Sequence, residues 1–178
     1  MTRNRGLAAL GILAIVIAPK AWCEDVKEGK YAIVNAESGK YLDADSFDLT
    51  KDGCKVQIWG DSDEGHTHRH WKIAKFGDGV YTISSVGANK LLDADRKTIE
   101  KDGCKIQLWG AKADDNPQRQ WKIVPAGDGS FYIINVKGER LLDADKATVK
   151  EDGGKVQLLG KSTDKAPKTS RWKLVPLK

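Results

Sequence analysis

The chain has 178 residues, 30 Lys and Arg against 25 Asp and Glu, and a formal net charge of +5. Three of those cations, Arg3, Arg5 and Lys20, fall in the first 23 residues, which hold no acid, so the remainder carries only +2. With no ladder of alternating basic and aromatic residues either, the composition argues against a nucleic-acid partner.

Taken in chain order, Met1 to Cys23 reads as a secretory signal peptide: a basic start, an apolar run from Gly6 to Ala18, and small residues at the two positions that matter for cleavage, Ala21 and Cys23. The apolar run is shorter than the ~20 residues of a membrane span. Lys20 and Trp22 are poor neighbours for a lipidated Cys23. The mature chain is expected to begin near Glu24, to be secreted or periplasmic, to lack a membrane span and to be a monomer. Its roughly 155 residues suit one domain with one core.

From residue 24 onward the sequence repeats. Lys40 to Gly60 returns as Lys90 to Gly110 with 13 of 21 positions identical, and again from Arg140 to Gly160 with Leu159 in place of the tryptophan. A fixed period of this kind marks a repeated supersecondary unit. Repeat boundaries fall near 29–78, 79–128 and 129–178. Within the first, Tyr31 to Asn35, Tyr41 to Ala44, Lys55 to Trp59 and His70 to Ile73 read as four short strands. Polar loops separate them, and Gly77-Asp-Gly79 and Gly127-Asp-Gly129 supply turns between repeats. No stretch has a sustained helical period.

Period-two alternation puts Val56, Ile58 and Leu42 on one face and Gln57, Trp59 and Asp43 on the other. The inward set recurs: Tyr31, Tyr81 and Phe131; Ile33, Ile83 and Ile133; Leu42, Leu92 and Leu142; Trp71, Trp121 and Trp172. Twelve strands in three units of four, filled by such layers, predict an all-β fold, a β-trefoil with pseudo-threefold symmetry. In that arrangement Cys54 and Cys104 occupy equivalent places too far apart for a disulfide. They are expected to be separate thiols, with intermolecular bridging the lesser alternative.

These segments resemble the ricin B-chain-like lectin family over nearly the whole mature chain. Family repeats carry an L-D-x segment, then Gly with V-Q-L-W, then a polar loop ending in Q-x-W. Here the corresponding segments are Leu42-Asp43 with Val56 to Trp59, Leu92-Asp93 with Ile106 to Trp109, and Leu142-Asp143 with Val156 to Leu159. The chain departs from the family where Arg69, Arg119 and Ser170 replace the Q-x-W glutamine. The intra-repeat disulfide of many members is also missing, with Tyr41, Leu91 and Leu141 at its first position.

The resemblance implies carbohydrate binding, with glycans or polysaccharide as partners and no cofactor. A sugar hydroxyl both donates and accepts, so a carboxylate and an amide suit it, and an exposed indole covers the apolar face of a pyranose. Carried over residue by residue, site one is Asp43, Gln57 and Trp59 with His68 and Arg69. Site two is Asp93, Gln107 and Trp109 with Gln118 and Arg119. A weak third site has Asp143 and Gln157, Leu159 in the aromatic position, and Thr169 and Ser170 from the loop. Site two, which keeps a loop amide, is expected to be the strongest.

Three further features bear on function. Asp45, Asp95 and Asp145, with Asp52, Asp102 and Asp152, read as turn-formers rather than calcium ligands. His66, His68 and His70 would share one face of an extended strand, either as a solvated loop or as a metal or pH-sensitive patch. The loop from Ser162 to Ser170 is one residue longer than its counterparts, which suits an alternative reading in which the domain binds protein and its sugar sites are degenerate. All the histidines lie in one loop and no nucleophile motif is present, so catalysis is not expected.

Overall fold

The computed structural model describes residues 25–62, 65–110 and 115–178. The expected leader, Met1 to Cys23, lies outside the described residues. Three repeats of four antiparallel strands follow one another. The first holds β1 (Gly29–Asn35), β2 (Tyr41–Ala44), β3 (Cys54–Trp59) and β4 (His70–Gly77). The second holds β5 (Val80–Ser85), β6 (Leu91–Ala94), β7 (Cys104–Trp109) and β8 (Gln120–Pro125). The third holds β9 (Phe131–Asn135), β10 (Leu141–Ala144), β11 (Gly154–Leu159) and β12 (Trp172–Pro176).

Pairing of the first and last strand of each repeat closes a ring. β1 pairs with β4, β4 with β5, β5 with β8, β8 with β9, β9 with β12, and β12 returns to β1. A six-stranded barrel results, and closure leaves it no free edge. The remaining strands form three hairpins, β2–β3, β6–β7 and β10–β11. Their second strands pair around a triangle, Cys54 opposite Leu108, Cys104 opposite Leu158, and Gly154 opposite Ile58. Barrel and triangular cap together make the β-trefoil that the repeat count predicts.

The layers anticipated from alternation fill the barrel. Trp71, Trp121 and Trp172 have no exposed surface, nor do Ile33, Ile83, Ile133, Leu42, Leu92 and Leu142. Each indole Nε1 donates to the backbone oxygen of its own repeat's second strand, at Leu42, Leu92 and Leu142, over 2.9 to 3.0 Å. The core tryptophans thus bury large rings with their polar atom satisfied, each burial worth roughly 1.5–3 kcal/mol. One member of the predicted layers differs. Phe131 is half-buried at the start of its strand, where Tyr31 and Tyr81 are buried.

Two local expectations are corrected. Each polar loop before a closing tryptophan contains a 3₁₀ turn, at Thr67–Arg69, Pro117–Arg119 and Lys168–Ser170. Three-residue turns of this kind have no hydrophobic period to announce them. The first of them breaks the extended run that would have aligned His66, His68 and His70. His66 and His68 have ring centroids 5.1 Å apart, and His68 turns inward toward Asp43. Cys54 and Cys104 are both buried free thiols.

Candidate functional site

The hairpin register dictates the site. In β2–β3, Asp43 lies directly opposite Gln57, and the same pairing places Asp93 opposite Gln107 and Asp143 opposite Gln157. Directly opposed side chains on one face of an antiparallel pair are within contact range. Gln57 Nε2 donates to Asp43 Oδ1 at 3.1 Å, Gln107 to Asp93 at 3.0 Å, and Gln157 to Asp143 at 3.3 Å. Next along the strand, Trp59 and Trp109 are each 41% exposed. Two repeats therefore set an open indole beside a carboxylate–amide pair, and the third sets half-buried Leu159 there.

The 3₁₀ turn folds over this pair, and its arginine completes it. Arg69 Nε donates to Asp43 Oδ2 at 3.2 Å, and Arg119 Nε to Asp93 Oδ2 at 3.1 Å. Arg69 Nη1 also donates to the Ser62 carbonyl at 2.7 Å. The arginines thus do not merely stand in for a loop amide; they neutralise the site carboxylates from above. In the third repeat Thr169 Oγ1 and Ser170 Oγ both donate to Asp143 Oδ2, at 2.7 and 2.8 Å, and Asp143 is fully buried.

The alternation argument had placed these aspartates and glutamines on an outward face. That face is roofed by the turn, so Asp43, Asp93, Gln57 and Gln107 are all buried, and only their edges line the clefts. Burial pushes the Asp43 and Asp93 carboxyls above the ordinary carboxylate range, with the Gln and Arg contacts opposing it. His68 Nε2 lies 3.4 Å from Asp43 Oδ2, and burial lowers its pKa below the ordinary imidazole value against the pull of that carboxylate.

Two clefts result. The first, about 200 Å³, is lined by Asp43, Gln57, Trp59, His68 and Arg69 together with Asp45, Ser46 and Phe47. The second, about 440 Å³, is lined by Asp93, Gln107, Trp109, Gln118 and Arg119 together with Asp95, Arg96, Lys97 and Asn116. All five residues predicted for each of these sites are thus brought together. Phe47 was not anticipated. It is 93% exposed, and the only sequence signal for it is an aromatic residue where the other repeats carry Lys97 and Ala147.

Both exposed indoles are supported by a neighbouring repeat. A Cβ on Gly153 would lie 3.4 Å from a Trp59 ring carbon, and one on Gly53 would lie 3.7 Å from the Trp109 ring. The aspartates at the preceding position also act between repeats. Asp152 Oδ1 accepts from Gly60 N and Lys40 Nζ, Asp52 from Gly110 N and Lys90 Nζ, and Asp102 from Gly160 N and Arg140 Nη1. The turn-former reading holds for Asp45, Asp95 and Asp145, which each accept a backbone N–H two residues on. For the other three it is corrected: they clasp one repeat to another.

With this geometry in place, the comparisons are specific. The family described as ricin-type β-trefoil lectin domain-like matches residues 20–109, half of the chain. The chain belongs to this family. The designed threefold-symmetric protein ThreeFoil is 27% identical, with a TM-score of 0.74 over 84% of this chain and 99% of its own. An exo-β-1,3-galactanase from Clostridium thermocellum, 1,3Gal43A, is 25% identical with a TM-score of 0.73 over 86% of this chain. This trefoil spans 31% of that enzyme. The Macrolepiota procera ricin B-like lectin, solved with lactose, shares the fold at 17% identity and a TM-score of 0.65, over 86% of this chain and 99% of its own. No match was found among curated proteins. Among the described residues no helix is long and apolar enough to cross a membrane.

Proposed function

We propose that this protein is an exported, non-catalytic carbohydrate-binding module with two working sites, in the first and second repeats. The observation that carries the reading is the recurrence of one arrangement: a carboxylate–amide pair beside a 41%-exposed tryptophan at Trp59 and again at Trp109. An indole face stacks on the C–H face of a pyranose, and the edges of Asp, Gln and Arg offer convergent acceptors and donors to its hydroxyls. The lactose-bound lectin and the galactanase, which holds a trefoil like this within a longer chain, support a binding role. Two weak sites on one polymer would gain affinity through avidity.

The test is a glycan array followed by calorimetric titration of wild type, Trp59→Ala and Trp109→Ala. Loss of one platform is expected to weaken its site by about 1–3 kcal/mol, by analogy with base–aromatic stacking. Binding that survives both substitutions in a folded protein would refute the assignment. A second reading, protein binding, is favoured by one observation: Phe47 projects 93% exposed from the rim of site one, whose Asp43 carboxylate is already occupied by Arg69. An array without hits, together with loss of a protein partner on Phe47→Ser, would establish it instead.

A further inference from the structure

The two sites share their floor but not their rim. Arg96 and Lys97 stand at the mouth of the Trp109 cleft, where site one has Ser46 and Phe47. Both are exposed, and both also line a second cleft of about 460 Å³ that continues away from Trp109. Lys101 and Lys137 also line this second cleft, against Glu100 alone. Arg96, Lys97, Asn116 and Gln118 line both clefts, so the two adjoin.

Charge at these two clefts is in surplus. Asp93 is matched by Arg119 at 3.1 Å, which leaves Asp95 and Glu100 against Arg96, Lys97, Lys101 and Lys137. Among the described residues none of these four cations makes an ion pair. The pseudo-threefold equivalents show that the cluster is not a by-product of the repeat. Lys137 corresponds to Gly87 in one direction and to Glu37 in the other, and Glu37 holds Lys150 and Lys168 at 3.9 Å. In the first repeat Lys51, the equivalent of Lys101, is taken up by Asp48 at 2.5 Å.

We propose that site two selects an anionic saccharide: one sugar stacks on Trp109, and the carboxylate or sulfate of an adjoining unit is held by Arg96, Lys97, Lys101 and Lys137. Site one, without the cations and with Phe47 at its rim, takes a neutral sugar. The proposal rests on the carbohydrate-binding reading above. Guanidinium and ammonium donors bind carboxylate or sulfate oxygens through charge-assisted hydrogen bonds, and attraction into such a cleft weakens as salt rises.

The experiment titrates the full chain with three galactose-series oligosaccharides: a neutral β-galactan, a sulfated carrageenan fragment and oligogalacturonate. At least one anionic ligand is expected to bind about tenfold tighter than the neutral one, a gap that narrows from about 50 mM to about 500 mM salt. Whichever ligand it is distinguishes sulfate from carboxylate. Lys101→Ala with Lys137→Ala, at two exposed residues that line the second cleft and not the Trp109 cleft, is expected to narrow that gap and leave neutral binding unchanged, with near-UV circular dichroism confirming the fold. Equal affinity for neutral and anionic ligands overturns the proposal while leaving the function reading standing. So does an unaltered gap in the double variant, or anionic binding that survives Trp109→Ala. If none of the three binds and the array is blank, both readings fall.

Discussion

Arg69 fills the space that a side chain on Gly60 would need. A Cβ at Gly60 would lie 2.7 Å from Arg69 Nη1, and at Gly110 it would lie 2.9 Å from Arg119 Nη1. Gly160, in the repeat whose arginine is Ser170, would meet nothing within 4 Å. All three glycines have positive φ, between 58° and 64°. Gly160→Ala is therefore expected to cost only the left-handed backbone penalty, about 1–2 kcal/mol. Gly60→Ala and Gly110→Ala are expected to exceed it by at least about 1 kcal/mol, since they also push a guanidinium off its carboxylate. Urea unfolding of the three variants measures the difference; equal losses would show that the arginines do not depend on the glycines.

Arg69→Ala leaves a buried carboxylate without its counter-ion. The expected loss is about 3 kcal/mol or more, as for other broken buried pairs. Ser170→Ala, which removes one of two hydroxyls from Asp143, is expected to lose about 1–2 kcal/mol. A ranking in the opposite order in denaturant unfolding would mean that Arg69 is held too loosely to matter.

The buried thiols give a pH signature. Burial and the nearby acidic residues push Cys54 up to about 11, and burial raises Cys104 as well. Iodoacetamide at pH 8 is expected to leave both unlabelled in the folded protein and to label both after unfolding, read by peptide mapping. Below pH 9 both states hold the Cys54 proton. Between 9 and 11 the unfolded chain releases it first, so this group's contribution to stability falls as pH rises through that window.

Each clasp aspartate is expected to act separately, because each joins a different pair of repeats. Asp152→Ala should lower stability by no more than about 1 kcal/mol, as suits an exposed ion pair, with Asp52→Ala similar. The double variant should lose the sum. The Asp52 and Asp152 carboxyls are held below the ordinary value, chiefly by Lys90 and Lys40. Their contribution is then full above pH 3.8 and disappears as pH falls through the lowered values. Non-additive losses in thermal unfolding at neutral pH would show that the repeats are strained together.

The architecture was legible because spacing alone carries it: Asp43 to Trp71 and Asp93 to Trp121 are both 28 residues apart, and alternation identified the apolar layers. The gathering of Asp43, Gln57, Trp59, His68 and Arg69 was legible through the family resemblance. What alternation could not show was the roof. A three-residue 3₁₀ turn has no periodicity, so the burial of Asp43 and its pairing with Arg69 were invisible to a reading that sorts residues into two faces. The inter-repeat reach of Asp52, Asp102 and Asp152 was hidden for a related reason: each sits in a turn, and its partners lie 38 to 112 positions away. Phe47 and the Arg96–Lys97 pair sit where the repeats disagree, and a search for identities passes over them.

Trp59 lies beside Gly153 and Trp109 beside Gly53, so neither exposed indole is seated wholly by the repeat that supplies its ring. A lone copy of the unit would carry the indole without the surface beneath it. Heritable change is correspondingly entangled: a mutation in the turn of the first repeat alters the surroundings of the second repeat's exposed indole, and one in the third alters those of the first. The rims of the two clefts can diverge in sequence, while the turns beside their indoles stay bound to a shared geometry.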